Sequence, residues 1–235
     1  MPGETPFYAV AIAADLKILT VCSKKTETMP ELPEVENTVA RLRPKVVGRR
    51  VRAAEFIWPK CAAGPKPAAF RRALAGKRIV DLRRRGKYLI FTLQAGGARS
   101  YLIAHLRMSG SLQLRSSAAS PPYTRAVFYL SGGWRLYFRD ARKFGRFWLT
   151  PHPARVLGAL GPEPLEVEFS FDHFRRRLIV RRGRIKPLLL NQRFIAGIGN
   201  IYADEVLWRA AIHPRRRAET LSVAEAERLY RAVRR

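Results

Sequence analysis

The residues best suited to covalent chemistry lie at positions 29–36, which read Met-Pro-Glu-Leu-Pro-Glu-Val-Glu. If translation starts at Met29 and this methionine is removed, Pro30 carries a free secondary amine. An α-amine has a pKa near 7.7–8.0 and is partly unprotonated at neutral pH. It can then attack a sugar carbon and form an iminium. Glu31 is the natural proton donor to the sugar ring oxygen, and Glu34 can hold the amine or the start of a helix.

This chemistry depends on where the working chain begins. In the 235-residue sequence Pro30 is internal, so its nitrogen is a tertiary amide without an available lone pair. The covalent role therefore requires that residues 1–28 be absent. We interpret these residues as an upstream-start artefact or a disordered leader, with an extra docked strand as the alternative. A non-catalytic alternative is that Pro-Glu-x-Pro-Glu serves as a good helix N-terminus.

The charge of the chain favours a polyanionic partner. Lys and Arg number 45 against 18 Asp and Glu, and the net charge is +27. Residues 1–28 hold three of each sign, so the whole excess belongs to residues 29–235. Such a field speeds the capture of nucleic acid, with an anionic membrane surface as the second choice. A solvated, arginine-rich surface would explain the arginines but not the shortage of acids.

The cysteines and the hydropathy pattern restrict cofactor and location. Cys22 and Cys61 are the two cysteines, and neither belongs to a Cys-x-x-Cys pair. We therefore expect no metal site and no cofactor in this chain, and a reducing cytoplasm. No apolar run is long enough to span a bilayer, and residues 7–22 lack the basic leader of a signal peptide. We expect no membrane partner.

Three further motifs carry residues that nucleic acid could contact. Lys87 follows Arg83-Arg84-Arg85-Gly86 at a strand edge, where it can reach a phosphate, although the run also reads as a solvated charge cluster. Met108 and Phe144 each lie at a turn marked by a glycine, beside Arg107 and Arg142. Exposed apolar tips next to arginine are typical of a wedge that unstacks a duplex, and core packing is the alternative. We interpret His105 as a structural histidine.

The third motif is the glycine turn of residues 192–205, which opens a helix at Asn200. Free backbone N–H groups at a helix start bind anions. Asn200 can cap this helix or contact a phosphate. Arg184, Lys186 and Arg193 make its approach basic.

The spacing of apolar residues predicts an α+β fold with two parts. A leading helix starts at Pro33 and ends at Pro44 and Gly48. Short strands with Gly96-Gly97 and Gly132-Gly133 hairpin turns predict a sandwich or barrel. The predicted strands are Val51–Phe56, Arg78–Leu82, Tyr88–Leu93, Tyr101–Leu106, Gly110–Leu114, Ala126–Leu130, Trp134–Phe138 and Gly145–Leu149. After a linker at residues 160–165, the predicted helices are Asp172–Val180, Ile185–Asn191, Ile201–Ala211 and Ser222–Arg234, the last with a Ser222–Glu225 capping box.

Six sequence blocks in this order resemble the bacterial formamidopyrimidine-DNA glycosylase family (Fpg, or MutM). They are MPELPEVE, RGKYL, HLxMSGSL, DxRxFG, LGPEPL and GIGNIYADE. The resemblance runs from Met29 to the C-terminus. Leu32 favours this family over the related endonuclease VIII branch, which usually has glycine there.

The resemblance implies an N-terminal β-sandwich domain with a leading helix at residues 29–152. It implies a helical helix-two-turn-helix DNA-binding domain at residues 153–235, incomplete before the family's zinc finger. The implied activity is removal of 8-oxoguanine and formamidopyrimidines from duplex DNA by a bifunctional glycosylase and AP lyase, acting as a monomer in the bacterial cytoplasm.

The resemblance also implies roles for individual residues. Pro30 would be the nucleophile, Glu31 the proton donor, and Lys87 a contact to the lesion or its phosphate. The other residues implied at the DNA are Glu34, Met108, Tyr123, Arg125, Arg142, Phe144, Lys186, Asn200 and Tyr202, of which Met108, Arg142 and Phe144 would fill the gap left by the flipped nucleotide.

The sequence departs from the family at three points. Pro30 is preceded by 29 residues, the four cysteines and the DNA-inserting arginine of the zinc finger are absent, and the histidines often found near residues 123–125 are missing. These departures leave two alternatives open. One is a catalytically inactive relative that binds damaged DNA with a blocked Pro30, and the other is an RNA-binding protein of ribosomal type.

Overall fold

A computed structural model describes residues 30–64 and 66–235. Our interpretation of residues 1–28 as an artefact or leader falls outside these residues. Helix α1 covers Leu32–Val46, with Pro33 in its first turn and Glu31 preceding it. The backbone N–H of Glu31 donates to the Glu34 carboxylate at 2.9 Å, which satisfies one of the free donors of the helix start.

The predicted end of α1 needs a correction. The helix passes through Pro44 and continues to Val46, so Pro44 does not end it. A proline one turn from a helix end removes a single hydrogen bond, and here its ring lies on the exposed side. Gly48, with φ of +88°, is where the chain turns away, as predicted.

The described residues form nine strands in two sheets that face each other. One sheet has the order β1-β7-β8-β6 and the other β2-β9-β5-β4-β3. Phe147 of the second sheet contacts Phe128 and Phe138 of the first, with ring centroids 5.1 and 4.9 Å apart, so the layers share one core. The strands are β1 (Val51–Glu55), β2 (Ala62–Ala63), β3 (Arg78–Arg85), β4 (Tyr88–Ala95), β5 (Ala98–His105), β6 (Gly110–Arg115), β7 (Thr124–Leu130), β8 (Arg135–Asp140) and β9 (Arg146–Thr150).

All eight predicted strands are present, with ends that differ by at most three residues. The glycine pairs at 96–97 and 132–133 are the hairpin turns between β4 and β5 and between β7 and β8, with positive φ at each glycine. Short elements in this part of the chain were missed, among them the 3-10 turn Pro59–Cys61. Strand β2 is two residues long, and helix α2 (Pro67–Leu74) has a short apolar stripe in which Phe70 and Leu74 are buried.

The remaining part of the chain is helical and has its own core around Phe169, Phe174, Phe194, Leu207 and Leu229. The four predicted helices are confirmed, and the one-turn helix α3 was missed. The capping box of Ser222 and Glu225 is present. These helices are α3 (Ala154–Leu157), α4 (Phe171–Ile179), α5 (Ile185–Leu190), α6 (Asn200–Arg209) and α7 (Val223–Val233). The α+β fold class is therefore confirmed, while a domain boundary at residue 152 stays a prediction.

Candidate active site

Glu31 joins the two halves of the molecule. Its side chain is fully buried, and its carboxylate accepts hydrogen bonds from the backbone N–H groups of Ile201 at 3.1 Å and Tyr202 at 3.4 Å. Both donors belong to the first turn of α6, where the helix dipole favours a negative charge. The carboxylate is thereby held in a fixed position beside Pro30, the residue before it.

This contact supplies the anion for the glycine turn. We predicted that the free N–H groups at the start of α6 form an anion site, and the anion they hold in the structure is the Glu31 carboxylate of the same chain. A Cβ at Gly199 would lie 2.2 Å from the carboxyl carbon of Glu31, so glycine is required there. Asn200 is the first residue of the helix and is exposed, while Gly199 is the N-cap. The alternative that Asn200 caps the helix is therefore wrong.

A pocket of about 260 Å³ opens beside Pro30. Pro30 is half-buried in its wall, so its ring faces a space large enough for part of a nucleotide. The wall is built from the start of α1, the turn before β6 and the end of β8. Among its lining residues are Pro30, Glu34, Thr38, Ser109, Tyr123 and Asp140.

Lys87 lies in the turn between β3 and β4, close to the same carboxylates. Its side chain is half-buried. Burial lowers the pKa of Lys87, while the charges of Glu31 and Glu34 act in the opposite direction. The structure therefore brings together Pro30, Glu31, Glu34 and Lys87 from two separate sequence motifs.

Glu163 fixes the turn that carries Lys87. It comes from the segment at residues 160–165 that we predicted to be a linker. Its buried carboxylate accepts from the backbone N–H of Gly86 at 2.6 Å and from the guanidinium groups of Arg84 at 2.6 Å and Arg85 at 3.0 Å. Arg85 also donates to the carbonyl oxygen of Gly161 at 2.6 Å. The solvated charge cluster that we considered for this run is wrong for Arg84, which is paired and nearly buried.

Sequence reasoning missed Glu163 because its partners lie 77 to 79 residues away along the chain. Burial opposes ionisation of this carboxyl, but the Gly86 N–H and the guanidinium groups of Arg84 and Arg85 outweigh it and lower its pKa. The sequence did carry one signal for Glu163. It is the single charged residue in the segment Leu-Gly-Pro-Glu-Pro-Leu at residues 160–165.

Asp140, at the end of β8, organises the two turns that carry the apolar tips. Its buried carboxylate accepts from the Ser109 hydroxyl, from the N–H of Arg142 at 3.2 Å and from the N–H of Gly145 at 2.7 Å. Ser109 follows Met108, and Gly145 follows Phe144. One carboxylate therefore fixes both turns relative to each other.

The tips differ in exposure. Phe144 is 46% exposed, and the Arg142 guanidinium lies 5.1 Å from its ring centroid. Core packing, the alternative reading, is wrong for Phe144. Met108 is half-buried, and Arg107 before it has a φ of +60° that turns the chain sharply.

Tyr123 and Arg125 flank the same end of the sandwich but have different roles in the structure. Tyr123 is 57% exposed and lines the pocket, with a φ of +62°. Arg125 is half-buried and donates to the carbonyl oxygens of Asp140 at 2.8 Å and Ala141 at 3.4 Å. Arg125 therefore supports the turn that follows Asp140.

Lys186 and Tyr202 lie on the helical side. The Lys186 ammonium pairs with Asp204 at 2.7 Å, so contact with a phosphate requires this pair to open or share the lysine. Tyr202 is half-buried against the second core. Burial raises the pKa of its hydroxyl, and the charges of Glu34 and Glu31 add to the effect.

His105 has the environment of a structural histidine, as predicted. Burial lowers its pKa to about 3, and the charges of Arg107 and Lys87 contribute. Its neutral ring accepts a hydrogen bond from the N–H of Arg107 and packs against the edge of Tyr88, 4.6 Å between centroids.

Comparison with known proteins agrees with this arrangement. The family model of the formamidopyrimidine-DNA glycosylase N-terminal domain matches residues 29–147, and that of the H2TH domain of the same enzyme matches residues 160–235. The formamidopyrimidine-DNA glycosylase of Pelotomaculum thermopropionicum is 45% identical over 212 residues, covering 88% of this chain and 75% of the relative. That of Symbiobacterium thermophilum is 47% identical, with 88% and 68% covered.

The chain belongs to the formamidopyrimidine-DNA glycosylase family. Solved structures agree. MutM (Fpg) of Thermus thermophilus superimposes with a TM-score of 0.77 at 42% identity, covering 87% of this chain and 73% of that one. The Lactococcus lactis Fpg in complex with DNA that contains an abasic site gives a TM-score of 0.80 at 34% identity, covering 87% and 76%. The chain thus spans about three quarters of most of these relatives.

The residues of this chain do not form the four-thiolate zinc site that the resemblance to the family implies. The sequence holds two cysteines, which cannot supply four thiolates. Cys61 is buried, and burial raises its thiol pKa to about 12. Within the part of the chain that the structure describes, no three His, Cys, Asp or Glu side chains are grouped to hold a metal. Among the same residues, no helix is long and apolar enough to cross a membrane.

Proposed function

We propose that this protein is a base-excision repair glycosylase and AP lyase that removes 8-oxoguanine and formamidopyrimidines from duplex DNA. The observation that carries this proposal is Pro30 at the pocket wall next to a buried Glu31 fixed by α6. Relatives solved with abasic-site DNA and with N7-benzyl-Fapy-dG DNA support the class of substrate.

The proposed reaction begins at the nitrogen of a terminal Pro30. Its lone pair forms a bond to C1′ of the damaged nucleotide, and the bond from C1′ to the base breaks, with the base taking the electron pair and a proton. The Glu31 carboxylate takes the proton from the Pro30 nitrogen and gives it to the ring oxygen, the bond from C1′ to that oxygen breaks, and the nitrogen lone pair completes an iminium. The iminium then accepts electrons during β-elimination of the 3′ phosphate and δ-elimination of the 5′ phosphate.

The neighbouring residues have supporting roles. Lys87, held by the turn that Glu163 fixes, would contact the lesion or its phosphate. Met108, Arg142 and Phe144 would enter the gap left by the extracted nucleotide. Asn200, exposed at the start of α6, and Lys186 would hold backbone phosphates. The charge of +27 would draw the duplex to this surface, in the cell compartment that holds the DNA.

A second candidate is a relative that binds damaged DNA without cutting it. The observation in its favour is that Met29 precedes Pro30 in the sequence, which makes the Pro30 nitrogen an amide. Such a protein would keep the apolar tips and the basic surface but would form no iminium.

Borohydride reduction tests both candidates, because it traps an iminium as a stable adduct. We expect protein that begins at Pro30 to form an adduct with 8-oxoguanine duplex DNA, and the 1–235 chain to form none. Trapping by the 1–235 chain would contradict Pro30 as the nucleophile and point to Lys87.

The control variant is Pro30→Gly in protein that begins at residue 30. It keeps a free amine and tests whether adduct formation requires the proline ring. A protein that binds the lesion duplex but forms no adduct in either version would favour the inactive relative. Equal affinity for RNA hairpins and lesion duplexes would favour an RNA-binding protein.

A further inference from the structure

The end of the sandwich opposite Pro30 is a compact basic surface. Strand β3 runs from Arg78 to Arg85, next to Lys87, and its eight residues span roughly 23 Å at about 3.3 Å each. Around Arg78, hydrogen bonds tie together four segments of the chain. The N–H of Val51 donates to the carbonyl oxygen of Lys77 at 2.8 Å, and that of Ser131 to Arg50 at 2.8 Å.

The turns and strand ends at this end of the sandwich are rich in basic residues. Residues 45–52, 71–78, 94–99 and 131–135 contain ten Lys and Arg and no Asp or Glu. We call the central cations of this surface the distal basic cap, which comprises Lys45, Arg50, Lys77, Arg78, Arg115 and Arg135. None of the ion pairs among the described residues includes a member of this cap.

The cap places like charges directly opposite each other. Arg50 and Arg78 are partners in an antiparallel bridge, and Arg115 of β6 is the partner of Arg135 of β8. Like charges in such positions destabilise a sheet. An anion that binds between the two arginines of such a pair reduces their repulsion and therefore stabilises the folded protein.

The backbone under the cap is fixed rather than loose. Arg49 donates to the carbonyl oxygens of Lys45 at 2.6 Å and Ser131 at 2.9 Å, and its guanidinium lies 5.2 Å from the Trp134 ring centroid. Arg50 donates to the carbonyl oxygen of Gly76 at 3.2 Å. Arginines presented from a rigid surface recognise phosphate oxygens through paired N–H donors.

We propose that the distal basic cap is a second DNA-binding site, which takes the phosphate backbone of another duplex segment while the first lies at the pocket beside Pro30. A short duplex at the pocket does not reach the cap, because DNA stays nearly straight over tens of base pairs and the cap is at the opposite end. The protein therefore binds two DNA segments at the same time and transfers from one to the other without dissociating into solution.

The test uses the 1–235 chain with two short duplexes that carry different dyes. One contains an uncleavable abasic-site analogue and the other is undamaged. At low salt we expect complexes of one protein with both duplexes, seen by native mass spectrometry and two-colour fluorescence. The second duplex should bind in the micromolar range typical of contacts to phosphate alone.

The decisive variant is Lys45→Gln/Arg78→Gln/Arg115→Gln. We expect it to weaken binding of the second duplex at least about tenfold and to flatten its log–log salt dependence by about 2 to 3, since each neutralised phosphate contributes about 0.9. Affinity for the abasic-analogue duplex should change little. The matched control is Arg155→Gln/Arg175→Gln/Arg231→Gln, which removes the same charge from exposed positions on α3, α4 and α7 and should keep the second duplex.

Three results would overturn the proposal. They are strict one-to-one binding at low salt, equal loss of the second duplex in both triple variants, and tighter binding of duplex RNA than DNA at the cap. Failure of the proposed function gives a different result. In that case the protein does not prefer the abasic-analogue duplex, but it still binds two duplexes and loses one in the cap variant.

Discussion

The two ends of the β-sandwich use charge in opposite ways. Glu31, Asp140 and Glu163 are at most 3% exposed, and all three lie at the end that carries Pro30 and the apolar tips. Each accepts two or more hydrogen bonds from N–H or O–H groups of other segments. The opposite end carries the distal basic cap, where cations face each other and none of the described ion pairs includes a cap residue.

This difference shows where an acid-poor chain places its carboxylates. Residues 29–235 contain 15 acids for 42 basic residues. The buried acids lie where several segments must keep a fixed geometry. The basic residues elsewhere add to the field that attracts a polyanion. Charged groups at the Pro30 end therefore fix the positions of neighbouring segments, whereas those at the opposite end attract a polyanion.

The largest expected effect is on catalysis by Glu31. In protein that begins at Pro30, Glu31→Gln should lower the single-turnover rate of 8-oxoguanine excision by about 10² to 10⁴, the usual contribution of a proton donor. The helix dipole would lose a charge partner, which costs about 0.3–1 kcal/mol of stability. Glu55→Gln, an exposed control, should leave the rate unchanged. An unchanged rate for Glu31→Gln would remove the proton-donor role.

The next effect is on stability at Glu163. Glu163→Ala removes the buried carboxylate shared by Arg84 and Arg85 and leaves the Gly86 N–H without its acceptor, so the free energy of unfolding should fall by about 3–5 kcal/mol in urea titrations. Asp81→Ala, which breaks the exposed pair with Arg43, should cost less than about 1 kcal/mol. Equal losses at both sites would contradict the contrast between the ends.

The stabilisation by Glu163 should also depend on pH. Its pKa is lowered in the folded protein from 4.5, because the Gly86 N–H and two guanidinium groups outweigh burial. The stabilisation is therefore present above pH 4.5 and is lost as the pH falls through the lower, folded pKa. We expect the stability of Glu163→Gln to depend less steeply on pH in this acid range.

A smaller effect is expected at Asp140. Asp140→Asn presents an NH₂ group where the carboxylate now accepts, so an N–H or O–H donor loses its partner at a cost of about 1–3 kcal/mol. The turns with Met108 and Phe144 should become less fixed, and excision should slow while binding of undamaged DNA stays the same. Ser109→Ala removes one of the three donors and should have the weaker effect. If Ser109→Ala slows excision more than Asp140→Asn does, the Asp140 carboxylate is not the group that fixes the two turns.

The smallest effect is expected at Arg78. Arg78→Gln should leave the melting temperature unchanged or raise it, because it removes a like-charge pair worth about 0.2–1 kcal/mol. Arg84→Gln is the matched control, with the same substitution on the same strand but in the Glu163 network. It should destabilise the protein clearly. Destabilisation by Arg78→Gln of similar size would mean that the cap is a structural element.

Much of the fold was predictable because its signals are local. Glycine pairs marked the hairpin turns, alternating apolar residues marked the strands, and Ser222 with Glu225 marked the last helix. Helix α2 was missed since two buried residues, Phe70 and Leu74, make too short a pattern. Pro44 was read as a helix end although a proline in the last turn is tolerated.

The site was predictable as a set of residues but not as an arrangement. Motifs identified Pro30, Glu31 and Lys87. The partners that fix them lie far away in the sequence, with Ile201 170 residues after Glu31 and Glu163 77 residues after Gly86. Such contacts exist only after two cores have docked, and no period or spacing encodes them. For this reason the sequence predicted an anion site at the start of α6 but not that Glu31 of the same chain occupies it.

The contact of Glu31 with α6 links catalysis to the relative motion of the two halves. The carboxylate belongs to one half, and both of its N–H partners belong to the other. Any separation of the two halves must release the carboxylate from those partners. In the proposed reaction, Glu31 would then be oriented for proton transfer only in the closed arrangement, so DNA that binds without closure would not be cut.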